Sequence, residues 1–149
     1  VVNNNTEEMF VTVWLGILEL STGKMTAANA GHEYPVLKKP QGDYELLMDK
    51  HGFVIGGMEN VAYKESEFNL EPGSKLFLYT DGLNEAEDIN HNQFELKRVV
   101  ETAKTADRCP EKLIMTMEKA VEQFVGEADQ SDDLTMFAIQ YKNISTSNN

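Results

Sequence analysis

The chain has 149 residues, the size of one domain, and 41% of them are apolar, an ordinary fraction for a fold that buries a core. Its 25 acidic and 13 basic residues give a formal net charge of −12. This argues against nucleic acid as a partner, because phosphate backbones require clustered Lys and Arg. The charge is compatible with a hard cation as a ligand.

Targeting and redox signals are sparse. No apolar run reaches the roughly 20 residues that cross a bilayer, and no signal peptide opens the chain, so we expect no membrane segment in it. The single cysteine, Cys109, cannot form an intramolecular disulfide and favours a reducing, cytoplasmic setting. We expect residues 1–8 to be the frayed remnant of an upstream element, 9–142 to be the domain, and 143–149 to be a disordered tail.

The first half of the chain predicts short strands joined by turns. Residues 9–20 are almost continuously apolar, which predicts a strand covered on both faces. A turn at 21–24 joins it to a second strand over 24–30. A Gly-rich segment at 49–60 is irregular. Further strands are predicted at 35–37, 44–47, 62–70 and 76–80.

The pattern then changes to helical spacing. One helix presents an apolar face made of Leu96, Val99, Val100 and Ala103. A second helix begins near Pro110 and ends at Gly126. Its apolar stripe predicts core packing and consists of Leu113, Ile114, Met117, Ala120, Val121, Phe124 and Val125. A last strand covers 134–141. Five or six mostly antiparallel strands, two helices and a final strand indicate an α+β fold with helices packed on a sheet.

Two distant acidic segments are expected to meet. Asp81 ends a buried strand, and Asp132 and Asp133 immediately precede the final strand. If those strands are neighbours, the two helices between them return the chain to the same end of the sheet. Clustered carboxylates stay ionised only beside a cation or a base, and neither segment contains Lys, Arg or His. Oxygen ligands favour Mg²⁺, Mn²⁺ or Ca²⁺. The alternative is that Asp81 belongs to a turn and Asp132 caps a loop.

Four ordered motifs carry a family resemblance. They are Phe10-Val11-Thr12, Asn29-Ala30-Gly31-His32 with Pro35, Leu78-Tyr79-Thr80-Asp81-Gly82-Leu83 with Glu85-Ala86, and Asp132-Asp133-Leu134-Thr135. Together they resemble the SpoIIE/RsbU-type phosphatases, the bacterial branch of the PP2C-like (PPM) serine/threonine protein phosphatases. The resemblance extends from about residue 9 to residue 141.

The resemblance implies an α-β-β-α sandwich of mostly antiparallel sheets with flanking helices, and a centre of two Mn²⁺ or Mg²⁺ ions. Water activated by the ions attacks a phosphoserine or phosphothreonine. Asp81 and Asp132 match the family's metal-binding aspartates, and Asp133 takes a lesser, supporting role. The implied substrates are small phosphorylated anti-anti-sigma (STAS-type) proteins of bacterial partner-switching pathways. A sensor or receiver domain is expected upstream in the full-length protein.

The Asn29–His32 turn has two interpretations. In one, His32 is a site residue near the metal ions, with Gly31 and Gly82 beside it. In the other, which we favour, Asn29 and His32 hold a tight turn through hydrogen bonds between side chain and backbone, with Gly31 supplying a positive φ.

One departure from the family qualifies these expectations. Its first metal motif, an Asp-x-x-Gly-His-Gly-like segment, has no counterpart in residues 1–9. We therefore expect an N-terminally truncated domain with unpaired sheet edges, and little or no activity from this chain alone. Two other interpretations remain open: a non-catalytic regulatory module that keeps the phosphatase fold, and a generic acidic α+β domain without a metal.

Overall fold

The computed structural model describes residues 9–49, 51–106 and 109–142. The two end segments predicted to be frayed or disordered, 1–8 and 143–149, lie outside the described residues. Within the described ranges, no helix has both the length and the apolar character needed to span a bilayer.

The described residues form eight strands and three helices. In chain order they are β1 (Val13–Leu18), β2 (Lys24–Ala30), β3 (Val36–Lys38), β4 (Tyr44–Leu46), β5 (His51–Gly52), β6 (Glu65–Asn69), β7 (Lys75–Tyr79), α1 (Asp81–Asn84), α2 (Glu95–Thr105), α3 (Pro110–Val125) and β8 (Met136–Gln140). The predicted strands and both predicted helices are present. Two elements, α1 and β5, were not predicted, because elements of four and two residues are too short to show a period.

The first sheet is built around β2. On one side β2 pairs with β1 as an antiparallel hairpin, in which Trp14 lies opposite Asn29. On the other side β6 runs antiparallel to the first part of β2, and β5 runs parallel to its end, where Asn29 lies opposite His51. The end of β2 is therefore flanked by strands on both sides, and the Asn29–His32 turn leaves from there.

The second sheet has the order β4-β3-β7-β8 and is antiparallel throughout. Alternate residues of its strands face opposite layers. Val36 and Phe77 pack in the larger core cluster, together with residues of α2 and α3. Leu37 and Leu76 pack in the smaller cluster, together with Met25 of the first sheet. The predicted α+β class, with mostly antiparallel sheets and flanking helices, is confirmed.

The two long helices match their predicted stripes. The fully buried residues are Val99 and Ala103 on α2, and Leu113, Met117 and Val121 on α3. Pro110 opens α3, where its missing N–H has no cost, and Gly126 follows the last turn with φ of 61°. Both helices cover the outer face of the second sheet.

The prediction that residues 9–20 are covered on both faces is wrong for the described structure. Trp14 and Leu18 of β1 pack on the smaller core cluster. Leu15 and Ile17 point the other way and are 60% and 67% exposed, because no described element packs on that face. Of the four layers of an α-β-β-α sandwich, the described residues therefore form three: helices, second sheet and first sheet.

Candidate metal centre

Thr80, at the end of β7, forms hydrogen bonds to the segment that leads into β8. Thr80 donates its backbone N–H to the Thr135 carbonyl at 3.1 Å. Its hydroxyl donates to the Asp133 carbonyl at 3.2 Å and accepts from the Thr135 N–H at 3.1 Å. Because β7 and β8 are antiparallel neighbours, the segment that holds Asp81 and the segment that holds Asp132 lie at the same sheet end. The predicted convergence is confirmed.

Gly82 is the point of closest approach between the two segments. A Cβ atom placed on Gly82 would stand 2.5 Å from the Asp133 carbonyl oxygen and 3.5 Å from the Asp132 Cβ. Asp81 and Asp132 are both exposed. Each carboxylate also accepts a hydrogen bond from the backbone N–H of the next residue: Asp81 Oδ1 from Gly82 at 3.1 Å, and Asp132 Oδ1 from Asp133 at 2.7 Å. Each carboxylate therefore retains acceptor capacity toward solvent.

The Asn29–His32 turn has the predicted hydrogen bonds. Asn29 Oδ1 accepts the His32 N–H at 2.8 Å, and Asn29 Nδ2 donates to the His32 carbonyl at 3.0 Å. Gly31 has φ of 76°, and a Cβ there would stand 2.7 Å from Val54 Cγ1. Thr12 Oγ1 lies 3.3 Å from His32 Nδ1. The predicted hydrogen bonds and the positive φ are present, and the turn also brings His32 into the electrostatic field of Asp81.

His32 and Glu33 are half-buried beside Asp81. Burial lowers the pKa of His32, against the attraction of the Asp81 carboxylate, which raises it. Burial also raises the pKa of Glu33, and the nearby carboxylates of Asp81 and Glu85 raise it further, while a hydrogen bond from the Asn84 side chain lowers it. The turn after β2 therefore adds a third carboxylate to the end of the second sheet.

Two buried polar groups adjoin Glu33. The Asn84 amide oxygen and the Tyr79 hydroxyl are buried and have no hydrogen-bond partner among the described residues. Burial, followed by the charge of Glu33, raises the pKa of the Tyr79 hydroxyl well above its ordinary value. Unpaired buried acceptors are uncommon in folded proteins, and here one lies on the short helix that begins with Asp81.

Glu33 and Asn84 were not among the predicted site residues. Signals for both exist in the sequence. Glu33 directly follows the turn residue His32, and Asn84 lies three positions after Asp81, which places the two on one face of a helical turn. Asp133 contributes its backbone carbonyl to the hydrogen bond with Thr80.

The donors present are suited to a hard cation but are few. Asp81, Asp132 and Glu33 offer carboxylate oxygens, which are the ligands that Mg²⁺ and Mn²⁺ prefer. Among the described residues, however, no three His, Cys, Asp or Glu side chains are grouped closely enough to hold a metal ion. The arrangement fits part of a metal site, in which further ligands would have to complete the coordination.

A cavity of about 360 Å³ opens beside Asp132. Apolar side chains from α3, from the loop after α1 and from the start of β8 with the residues before it form its walls, and Glu118 and Glu122 lie on the helix side. The apolar lining residues are Ala86, Val121, Val125, Leu134 and Met136. The site therefore has open space on the α3 side, next to one of the two predicted metal ligands.

Sequence comparisons agree with this geometry. Residues 1–142 match the family described as Stage II sporulation protein E (SpoIIE). Protein IcfG of Synechocystis sp. is 31% identical over 138 residues, which are 91% of this chain and 21% of that protein. Phosphoserine phosphatase RsbU of Bacillus subtilis is 30% identical over 93 residues, which are 60% of this chain and 27% of RsbU. The chain thus spans less than a third of either relative.

Solved structures share the fold. The PP2C phosphatase domain of SpoIIE from Bacillus subtilis, solved with a fragment of its regulatory domain, matches 93% of this chain and 41% of that chain with a TM-score of 0.75 and 18% identity. The SiaA-PP2C domain of Pseudomonas aeruginosa matches 90% of this chain and 53% of that chain with a TM-score of 0.73 and 20% identity. The catalytic domain of the serine/threonine phosphatase PstP, in complex with two manganese ions, matches 91% of this chain and 60% of that chain with a TM-score of 0.62 and 12% identity. The chain belongs to the SpoIIE family and has the fold of SpoIIE/RsbU-type PP2C-like phosphatase domains.

Proposed function

We propose that this chain is the larger part of the phosphatase domain of a divalent-metal-dependent serine/threonine phosphoprotein phosphatase. The observation that carries the proposal is the meeting of Asp81 and Asp132 across Gly82 in a chain of the SpoIIE family. Support for the substrate class comes from RsbU, a relative named a phosphoserine phosphatase. The protein we envisage acts in the cytoplasm on a small phosphorylated anti-anti-sigma (STAS-type) protein, under a sensor or receiver domain upstream.

Asp81 and Asp132 would hold Mn²⁺ or Mg²⁺, with two ions in the complete domain and Asp133 in a supporting role. Bound ions of this kind lower the pKa of water, orient a phosphate and neutralise its charge in the transition state. The residues of the chain explain why a cation is needed. Asp81, Asp132 and Glu33 place negative charge where a phosphate dianion would bind, and like charges at this range repel. Phosphoprotein binding should therefore require metal binding.

The chain's own groups would also orient the substrate. The Asn29 amide fixes the backbone of His32, whose ring lies near Asp81. The Asn84 side chain holds Glu33 by a hydrogen bond. The cavity beside Asp132 offers space for a side chain that neighbours the phosphorylated residue. With apolar walls and glutamates on the helix side, it suits an aliphatic side chain that ends in a cation.

The test is phosphate release from a phosphoserine protein by the intact protein, with Mn²⁺ added or removed by chelation. Asp81→Asn and Asp132→Asn should each lower kcat/KM by about a hundredfold or more, because a catalytic metal ion supplies several kcal/mol of transition-state stabilisation. Asp43→Asn, which changes an exposed aspartate beside β4, serves as the matched control and should retain activity. Unchanged Mn²⁺-dependent hydrolysis by Asp81→Asn would exclude Asp81 as a ligand.

The same assay separates the alternative functions. A non-catalytic module that keeps the fold would show no chelator-sensitive hydrolysis, even in the intact protein. An acidic domain without a metal would show no change in stability with millimolar Mn²⁺. We expect the 149-residue chain alone to release little phosphate, since two aspartates leave most of an octahedral coordination shell to water.

A further inference from the structure

Asp49 is a nearly inaccessible carboxylate outside the set of predicted ligands. It lies between β4 and β5, and its side chain is 4% exposed. Oδ2 accepts the Trp14 Nε1–H at 3.1 Å, and Oδ1 accepts an Asn29 Nδ2–H at 3.1 Å. His51 Nε2 lies 3.9 Å from Oδ1, beyond hydrogen-bond distance. A carboxylate this buried is retained only where donors replace its lost hydration, so the two donors are essential to it.

The two donors are brought together by the register of the first sheet. Trp14 and Asn29 are cross-strand partners in the β1–β2 hairpin, so their side chains lie side by side on one face. Gly16 leaves room for the indole, because a Cβ there would stand 2.5 Å from the Trp14 ring. The sheet therefore presents two N–H groups to a single carboxylate.

Asp49 sets the orientation of the Asn29 amide. Asn29 is 1% exposed, and it donates one N–H to Asp49 and the other to the His32 carbonyl, while its oxygen accepts the His32 N–H. A flipped amide would turn its oxygen toward the Asp49 carboxylate, which can only accept. The carboxylate therefore disfavours the flipped form, as do the His32 carbonyl and N–H, and only the observed form holds both backbone groups of His32.

We propose that Asp49 is a positioning residue: by fixing the Asn29 amide it fixes the turn that carries His32 and Glu33, and so their placement relative to Asp81. One part of this proposal rests on the proposed function: the placement of His32 and Glu33 affects catalysis only if Asp81 binds a metal ion. Its structural part, control of the Asn29–His32 turn, stands apart from any activity. Within the part of the chain that the structure describes, the Asp49 side chain makes no hydrogen bond to Asp81 or Asp132, so its effect on the site acts through Asn29.

The test compares Asp49→Asn with Trp14→Phe in the intact protein. In Asp49→Asn one acceptor oxygen and the negative charge are removed, so the side chain cannot accept from both Trp14 and Asn29 as the carboxylate does, and the hold on the Asn29 amide weakens. Trp14→Phe removes the other hydrogen bond of the carboxylate and leaves the contact between Asp49 and Asn29. Hydrogen exchange of the His32 backbone N–H, measured without metal, reports on the turn, and Mn²⁺ titration reports on the site.

Asp49→Asn should speed His32 exchange by about tenfold or more and weaken Mn²⁺ binding by roughly 10–100-fold, the range seen when groups that orient ligands are removed. Trp14→Phe should change each by less than about threefold, although both variants lose thermal stability. Equal effects of the two variants on exchange and on Mn²⁺ binding would overturn the proposal.

Should Asp49→Asn not fold, Asp49→Ser, which is smaller and keeps one acceptor, gives the same comparison. Absence of Mn²⁺ binding by the wild type would refute the proposed function, while His32 exchange would still decide the role of Asp49.

Discussion

Replacing Gly82 with alanine tests the junction on which the candidate site depends. The added Cβ would stand 2.5 Å from the Asp133 carbonyl oxygen, whereas ordinary contacts begin at 3.4 Å. Relief requires the two segments to separate by about 0.9 Å, the difference between these distances. The obstacle is backbone, so no side-chain rotation can remove it. The hydrogen bond from the Thr80 hydroxyl to the Asp133 carbonyl, 3.2 Å long, would be stretched as well.

We expect Gly82→Ala to lower the free energy of unfolding by about 2–3 kcal/mol, which combines overpacking of about 1–3 kcal/mol with a weakened hydrogen bond. For a chain of this size that corresponds to a fall in Tm of roughly 5–10 °C. Mn²⁺ affinity of the intact protein should fall by about tenfold or more, because ligand positions tolerate shifts of only about 0.2 Å.

Gly42→Ala is the matched control. A Cβ on Gly42 would meet the Lys39 Cβ at 3.5 Å, an ordinary contact, so its stability should change by less than about 0.5 kcal/mol. Urea denaturation followed by circular dichroism measures both variants, and calorimetric titration measures Mn²⁺ binding. If Gly82→Ala unfolds at the same urea concentration as Gly42→Ala and binds Mn²⁺ as the wild type does, the close contact between the two segments is refuted.

Three further predictions address charge and packing. Glu33→Gln should stabilise the metal-free protein at neutral pH, because burial raises the folded-state pKa of Glu33 and disfavours its charged form. The advantage should vanish as pH falls below the ordinary glutamate pKa of about 4.3. Urea denaturation midpoints of the wild type and of Glu33→Gln at pH 7.5 and pH 4 measure this difference. A lower midpoint for Glu33→Gln at pH 7.5 would contradict the prediction. Asp81→Asn should lower the pKa of His32 further, since it removes the charge that opposes the effect of burial. A ring titration by NMR that shows no decrease would contradict their proximity. Met117→Ala should cost about 2–5 kcal/mol, because Met117 is fully buried in the core, whereas Met115→Ala on the exposed face of the same helix should cost less than about 0.5 kcal/mol. Comparable denaturation midpoints for the two would argue against the described orientation of α3.

The parts of the site that follow from chain order could be predicted from the sequence. Asp81 follows one strand and Asp132 precedes the next, and the two long helices between these antiparallel neighbours return the chain to its starting end. The Asn29–His32 turn was predictable for a local reason, because Asn and Gly have strong preferences in tight turns. Neither inference needs to know how the two sheets are stacked.

What could not be predicted depends on that stacking. Asp49 bonds to Trp14 across 35 positions and to Asn29 across 20, and it lies in a Gly-rich segment without a period. Glu33 meets Asn84 only because the turn after the first sheet reaches the end of the second. The prediction that both faces of β1 are covered was wrong for a different reason. Without polar residues at alternate positions, its sequence cannot show which face is covered, and Leu15 proves to be exposed.

The hydrogen bond between Trp14 and Asp49 gives the protein an internal optical probe. This 149-residue sequence contains one tryptophan, so the indole emission of this chain comes from a ring whose N–H donates to the carboxylate that also accepts from Asn29. Indole fluorescence responds to a neighbouring charge and to the loss of a hydrogen bond. A shift in emission on adding Mn²⁺ or a phosphoprotein would therefore reveal movement of the Asn29–His32 turn in unlabelled protein, in real time.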